Sequence, residues 1–148
     1  MGMVDVGEKP KVKRVATAKG EIILKSDTLQ EIRKGTIKKG DPLFCAEIAG
    51  ILAAKRTWEL LPHCHQIPLD TVSFSFELKE DRVVVSCTVK AHWTTGVEME
   101  ALVGVSMALN TIWDMVKYLE KDSDGQYPHT SISQIVVTGK EKGPISEA

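Results

Sequence analysis

Four charged side chains stand where an apolar helix has least use for them. Glu98 and Glu100 flank Met99 at the mouth of a long apolar run, and Asp114 and Lys117 recur deep inside it. Carboxylates and lysines in apolar surroundings are the groups that burial and neighbouring charge retune for proton transfer near neutral pH. On a regular helix, Glu100 and Asp114 lie within about 40° of each other around the axis but about 21 Å apart along it. One small substrate cannot touch both through one copy of this helix. Glu98 would point almost opposite to Glu100 on a regular helix, so either the first turn is irregular or the two acids have different jobs. The plain alternative is that both are first-turn acids favoured by the helix dipole. Asp114 and Lys117, three apart, can form an ion pair on one helical face. Such pairs are commonly just solvated, but Trp113, Met115 and Val116 make an apolar neighbourhood in which a partly desolvated lysine beside a carboxylate is a proton donor or acceptor.

The segment LLPHCHQIPL collects His63, Cys64 and His65, with Cys87 and His92 downstream, and invites a zinc reading. Adjacent His and Cys side chains do not converge easily on one ion, and the spacing is not that of a structural zinc site. Cys87 falls on the apolar face of a strand, where a buried thiol is ordinary. Catalytic or packing roles for His65 are favoured over ligation, and no metal ligand set is expected.

Basic residues supply the third cluster. Lys38 and Lys39 precede a helix N-terminus, whose amides and dipole could hold an anion. Arg14 with Lys11 and Lys13, Lys55 and Arg56, Lys117, and Lys140 with Lys142 come from separate segments. Each alone is ordinary surface charge, but converged they would suit a polyphosphate. The only Gly-Lys pair, Gly139-Lys140, lacks the glycine loop of a nucleotide-binding fingerprint.

The elements that must position these groups can be read along the chain. KVKRVATAKGEIIL is a basic extended segment, and SDTLQEIRKG a short helix with Ser26 as N-cap and Gly35 as its stop. DPLFCAEIAGILAAKRTWELLP reads as one helix, with Asp41 as cap, Pro42 at the first position and Pro62 beyond the end. In TVSFSFEL, Val72, Phe74, Phe76 and Leu78 alternate with polar residues, and in VVVSCTVKA, Val83, Val85, Cys87, Val89 and Ala91 share a face. Together they predict an antiparallel hairpin. A helix from about residue 96 to residue 119, a turn-rich loop and a last strand, SISQIVVTG, follow. The order predicts an α+β, ferredoxin-like antiparallel sheet with helices packed on one face.

The 148 residues fit one domain, expected over 11–140 between flexible tails at 1–10 and 141–148. With 19 basic and 20 acidic residues, the net charge of −1 gives no sign of a nucleic-acid or membrane partner. Three cysteines are too sparse and odd for a disulfide scaffold, and no stretch resembles a secretion signal or a membrane span. A soluble, cytoplasmic protein is the expectation.

Several strings then coincide: MVDVGEK, KKGDPLFCAEIAGILAAKRTWELLPHCHQIPL, TTGVEMEAL and IWDMVKYLEKD. Together they strongly resemble the molybdenum cofactor biosynthesis protein C family (MoaC), the cyclic pyranopterin monophosphate synthases, over nearly the whole chain. The resemblance implies a ferredoxin-like fold and a homo-hexamer, a trimer of dimers with active sites at subunit interfaces. It also implies conversion of 3′,8-cyclo-7,8-dihydro-GTP, made by an upstream radical SAM enzyme, into cyclic pyranopterin monophosphate and pyrophosphate. By the same likeness Lys39, His65, Asp114 and Lys117 are catalytic. Arg14, His63, Cys64, Glu98, Met99, Glu100, Lys140 and Lys142 contact substrate, the last two being alternatives for one family lysine. No cofactor is required on this reading, although Mg2+ could accompany the triphosphate. Two other readings stay open: a non-catalytic purine nucleotide-binding module using the same lysines, and a structural zinc protein.

Overall fold

The computed structural model describes residues 1–144; residues 145–148 of the expected C-terminal tail lie outside the described residues. The elements run β1 (Val12–Ile23), α1 (Ser26–Lys34), α2 (Pro42–Lys55), α3 (Thr57–Leu60), β2 (Thr71–Leu78), β3 (Arg82–Trp93), α4 (Glu98–Glu120) and β4 (Ser131–Lys142). The strands form one antiparallel sheet in the order β2-β3-β1-β4. This is an α+β chain, and its β-α-β-β-α-β progression is that of a split βαβ arrangement.

Alternation explains the sheet. Ala16, Ala18 and Ile22 of β1 and Val83, Val85, Cys87, Val89 and Ala91 of β3 are buried on one face, under Val105, Leu109, Ile112 and Val116 of α4. Register places Cys87 beside both Ala18 and Phe74. On the other face, Thr71, Ser73, Ser75 and Glu77 of β2 are exposed.

Two local expectations need correction. Ser26 is the first helical residue of α1, and Lys25, in extended conformation, is the N-cap without a side-chain cap bond. Gly35 does end the helix, in the left-handed conformation that glycine adopts without strain. The expected single helix from Pro42 breaks at Arg56. There the buried Thr57 hydroxyl donates to the Ala53 and Ala54 carbonyls, at 3.2 and 2.9 Å, taking the acceptors near the helix end.

The α2 helix carries apolar residues on its outward as well as its inward face, with its small residues inward. Ala46, Gly50, Ala53 and Ala54 are buried against α4, whereas Phe44, Ile48 and Leu52 are 60%, 45% and 46% exposed. Small inward residues let α2 approach α4 closely: a Cβ on Gly104 would lie 3.4 Å from the Gly50 carbonyl oxygen. A Cβ on Gly50 would overlap the Phe74 ring. Gly50→Ala is therefore expected to destabilise the fold by about 1–3 kcal/mol through overpacking, read as a lower midpoint in denaturant at unchanged slope.

Candidate functional site

The α4 helix carries a functional cluster at each end. At its start, Val97 is the N-cap with no side-chain cap bond, and Glu98 and Glu100 occupy the first turn. Both acids turn toward the segment joining α3 to β2. A methyl group on Gly96 would overlap the Glu98 carboxylate, so glycine there leaves room for it to fold back. Glu98 Oε1 accepts from Lys140 Nζ at 3.3 Å. Glu100 is only 2% exposed, and the Cys64 thiol lies 3.8 Å from its Oε2. Glu98 Oε2 and Glu100 Oε1 are buried without a hydrogen-bond partner. Orphaned carboxylate oxygens are costly in a folded chain and mark a place where a donor is expected to arrive.

Electrostatics follow from that geometry. Burial first, and then the Glu98 charge, push the Glu100 carboxyl up to about 7. Burial and the Glu100 charge push the Cys64 thiol up to about 11, which keeps it a thiol at neutral pH. Glu100 can therefore carry a proton at pH 7 where an ordinary glutamate cannot. In front of these groups is a cavity of about 600 Å³, lined by His63, Cys64, His65, Glu98 and Met99, with residues of the N-terminal segment opposite. A smaller adjoining cavity, about 190 Å³, is lined by Arg14, Gly96, Lys140 and Lys142. Arg14 is steadied by donating to the Trp93 and Thr94 carbonyls, at 3.4 and 3.1 Å. Strand pairing sets Arg14 opposite Lys142, and Ala16 opposite Lys140. Two carboxylates, two histidines and three cations thus meet at one end of the molecule.

At the far end of α4, Lys39 and Lys117 both pair with Asp114, at 3.1 and 3.2 Å. Their ammonium groups, Lys39 first, hold the Asp114 carboxyl below its ordinary value. A cavity of about 450 Å³ adjoins them, lined by Asn110, Trp113, Asp114, Lys117 and Ile132. The expected desolvation of Lys117 is not met within one chain: the side chains of Lys39, Asp114 and Lys117 are 48%, 57% and 42% exposed. Met115 and Val116 turn into the core, and Trp113 packs edge-on against Tyr127 with ring centroids 5.1 Å apart.

The anion site expected at the start of α2 is already filled. Asp41 Oδ1 accepts from the Leu43 and Phe44 amides at 3.0 and 3.2 Å, and Lys38 gives its amide to the Tyr118 hydroxyl, 2.9 Å away. Only Lys39 of that pair is brought to Asp114. The basic residues do not converge on one point. Arg14, Lys140 and Lys142 share one cavity, Lys117 lines another with Lys39 paired to its Asp114, and Lys55 lines a third, about 590 Å³, beside Trp58 and Trp93. The Lys11 ammonium stacks on the Trp93 ring, 4.4 Å from its centroid.

The cysteines and histidines separate as well. Cys87 is fully buried in the core and His92 pairs with Asp70 at 2.7 Å, away from Cys64 and its neighbours. Among the described residues no three His, Cys, Asp or Glu side chains are grouped to hold a metal ion. No helix among them is long and apolar enough to cross a membrane.

Sequence reasoning missed two participants. Glu120, at the end of α4, is fully buried and accepts from the Thr28 and Thr130 hydroxyls and the Lys25 amide, tying α1 to α4. Nothing in the sequence distinguishes it from a solvated last-turn acid. The other is the wall built by Val4, Val6 and Lys9, for which the alternation of valines in MVDVGEK was the available signal.

Comparison with known proteins finds matches over nearly the whole chain. The model described as MoaC family matches residues 3–143. A protein of Methanothermobacter thermautotrophicus named probable cyclic pyranopterin monophosphate synthase accessory protein is 57% identical over 95% of this chain and 88% of its own length. Two proteins named probable cyclic pyranopterin monophosphate synthase are similarly close. That of Thermococcus kodakarensis is 55% identical over 95% of this chain and 90% of its own. That of Sulfolobus acidocaldarius is 54% identical over 95% and 98%.

Proposed function

This chain belongs to the MoaC family, and from that premise we propose that it is a cyclic pyranopterin monophosphate synthase of molybdenum cofactor biosynthesis. It converts 3′,8-cyclo-7,8-dihydro-GTP into cyclic pyranopterin monophosphate as a pyrophosphate-releasing lyase. The observation that carries the reading is the division of labour along α4, with Glu98, Glu100 and the basic cavity at one end and Lys39–Asp114–Lys117 at the other.

Arg14, Lys140 and Lys142 hold the triphosphate. His63, Cys64, Met99 and the two glutamates hold the ring system, and their orphaned oxygens accept its N–H groups. Lys117, oriented by Asp114, is the principal acid/base, with Lys39, His65 and the two glutamates completing proton transfer during purine-ring opening and pyranopterin closure. A sugar hydroxyl attacks the α-phosphorus and gives its proton to the base as pyrophosphate leaves, while cationic side chains offset the developing charge. No cofactor is required on this reading; Mg2+, when bound, would be carried by the triphosphate itself and would offset part of its charge.

A cluster about 21 Å along the helix from its counterpart serves the same substrate only across a subunit boundary. The outward apolar residues of α2, with Met107 of α4 at 40% exposure, support a covered face. The reading is a homo-hexamer, a trimer of dimers with shared sites, working in the cytoplasm after a radical SAM enzyme. A non-catalytic nucleotide-binding module remains the second reading, favoured by the word "accessory" in one relative's name. Incubation with enzymatically prepared 3′,8-cyclo-7,8-dihydro-GTP, with mass spectrometry of pyrophosphate and pterin, separates them. Product supports the synthase, and binding without product the module.

A further inference from the structure

The connection between α1 and α2 reaches α4 through two consecutive lysines that end on different side chains. Asp114, Lys117 and Tyr118 stand at i, i+3 and i+4 of α4 and so share one helical face. The Lys39 ammonium donates to Asp114 Oδ2 and to the Asp114 carbonyl, at 3.1 and 3.3 Å, while Lys117 takes Oδ1 at 3.2 Å. One turn further on, the Tyr118 hydroxyl oxygen accepts the Lys38 amide at 2.9 Å, and the Lys38 ammonium lies 5.1 Å from the Tyr118 ring centroid. The backbone and the side chain of Lys38 thus both end on Tyr118, and Lys39 goes to Asp114.

The exposed ion pair does not account for its own geometry. Holding a long lysine side chain against a carboxylate in water costs rotamer freedom that the attraction barely offsets. The ammonium keeps its place when the backbone that carries it is fixed. Ile37 is buried and Asp41 caps α2, which secures both sides of the connection. Between them the Gly40 amide closes a turn on the Ile37 carbonyl at 3.1 Å, with a φ of 117° that favours glycine. Among the described residues, the bond from the Lys38 amide to Tyr118 is the only hydrogen bond joining the backbone of residues 36–40 to α4. The Tyr118 ring packs against the core, so the hydroxyl is a firm anchor. What it secures matters to Lys117 as well. Lys39, ahead of Lys117, keeps Asp114 ionised, and by occupying Oδ2 it leaves Oδ1 to Lys117.

We propose that Tyr118 is a positioning residue for the reaction: by anchoring the backbone at Lys38 it holds Lys39 on one Asp114 oxygen and leaves the other to orient Lys117. The inference rests on the functional reading above. Tyr118 acts through Lys39 and not on the substrate.

Tyr118→Phe removes the acceptor and keeps the ring, with its packing and its face toward Lys38. Acetylation by an N-hydroxysuccinimide ester at limiting reagent, read peptide by peptide by mass spectrometry, tests the anchor without turnover. Lys39 should be labelled about two- to fivefold faster in the variant than in wild type, the worth of an exposed ion pair. The exposed Lys55 and Lys79 should be unchanged, whereas a general loosening of the fold would speed labelling at every lysine. Asp114→Asn, which breaks the pair directly, marks the full rise. In steady-state kinetics Tyr118→Phe should lower kcat by about 10- to 100-fold, the cost of a misplaced group, with KM within about twofold because no substrate contact is lost. Unchanged Lys39 labelling, or a wild-type kcat beside faster labelling, overturns the proposal. Wild type without turnover would sink the synthase reading instead, and faster Lys39 labelling in the variant would then keep Tyr118 as the anchor of the charge cluster.

Discussion

Lys117→Ala is expected to lower kcat by about 10²- to 10⁴-fold, the usual worth of a positioned general acid or base, with a much smaller change in substrate affinity. The argument starts from exposure. Lys39, Asp114 and Lys117 form a three-charge cluster with about half of each side chain open to water. Exposed ion pairs of this kind contribute little to stability, so folding alone does not account for collecting them. Asp114, kept ionised by the two lysines, fixes the Lys117 ammonium in direction without burying it. A covering subunit would supply the desolvation that the single chain lacks. Single-turnover pyrophosphate release, beside calorimetric binding of the substrate, measures both quantities. Equal losses in binding and turnover would assign Lys117 to holding phosphate instead.

Glu100→Gln is expected to make the protein more stable and less active. Burial raises the Glu100 carboxyl from its ordinary 4.5 to about 7, so the folded chain binds this proton more tightly than the unfolded chain does. Stability then falls as pH rises through the window from 4.5 to about 7, and above it the ionised, buried carboxylate is a standing cost. A shift of that size corresponds to about 3 kcal/mol, as an upper figure. The glutamine variant lacks the titration. It should match wild type near pH 4.5 and exceed it by up to about 3 kcal/mol at pH 8, read by denaturant unfolding at both values. Its turnover should fall by about 10²-fold or more, because the amide cannot give or take the proton. A destabilised site kept for function is the trade that active sites commonly show. Identical pH dependence of stability in the two proteins would mean that Glu100 ionises like an ordinary surface glutamate.

The fold was legible wherever one physical rule governed a segment. Alternation in TVSFSFEL and VVVSCTVKA fixed the hairpin and its faces, and Asp41-Pro42 marked the start of α2 as observed. Where two rules competed, the pattern misled. The apolar run through Arg56 and Trp58 looked like one helix, but Thr57 turned its hydroxyl back onto the chain and ended it. The α2 periodicity could not reveal that small residues face inward, because the outward face carries the large apolar Phe44, Ile48 and Leu52. Lys38 and Lys39 looked equivalent, yet only side-chain geometry separates one on Tyr118 from one on Asp114. The distance between the two ends of α4 needed only helix rise. The pairing of Glu98 with Lys140, from β4, depended on sheet register that no local signal carries. Identification of the chemistry rested on family likeness, since four charged residues on a helix are compatible with several reactions.

The claim that the two ends of α4 serve one substrate across a subunit boundary is tested most directly by mixing two inactive proteins. Lys117→Ala and Glu100→Gln chains, denatured together and refolded in equal amounts, should form mixed assemblies whose composition native mass spectrometry reads. If a site takes Lys117 from one chain and Glu100 from another, random mixing leaves about a quarter of the sites with both residues intact, and pyrophosphate release should return to about a quarter of the wild-type rate. Mixed assemblies that remain as inactive as either parent would contradict the shared site and return both residues to a single chain.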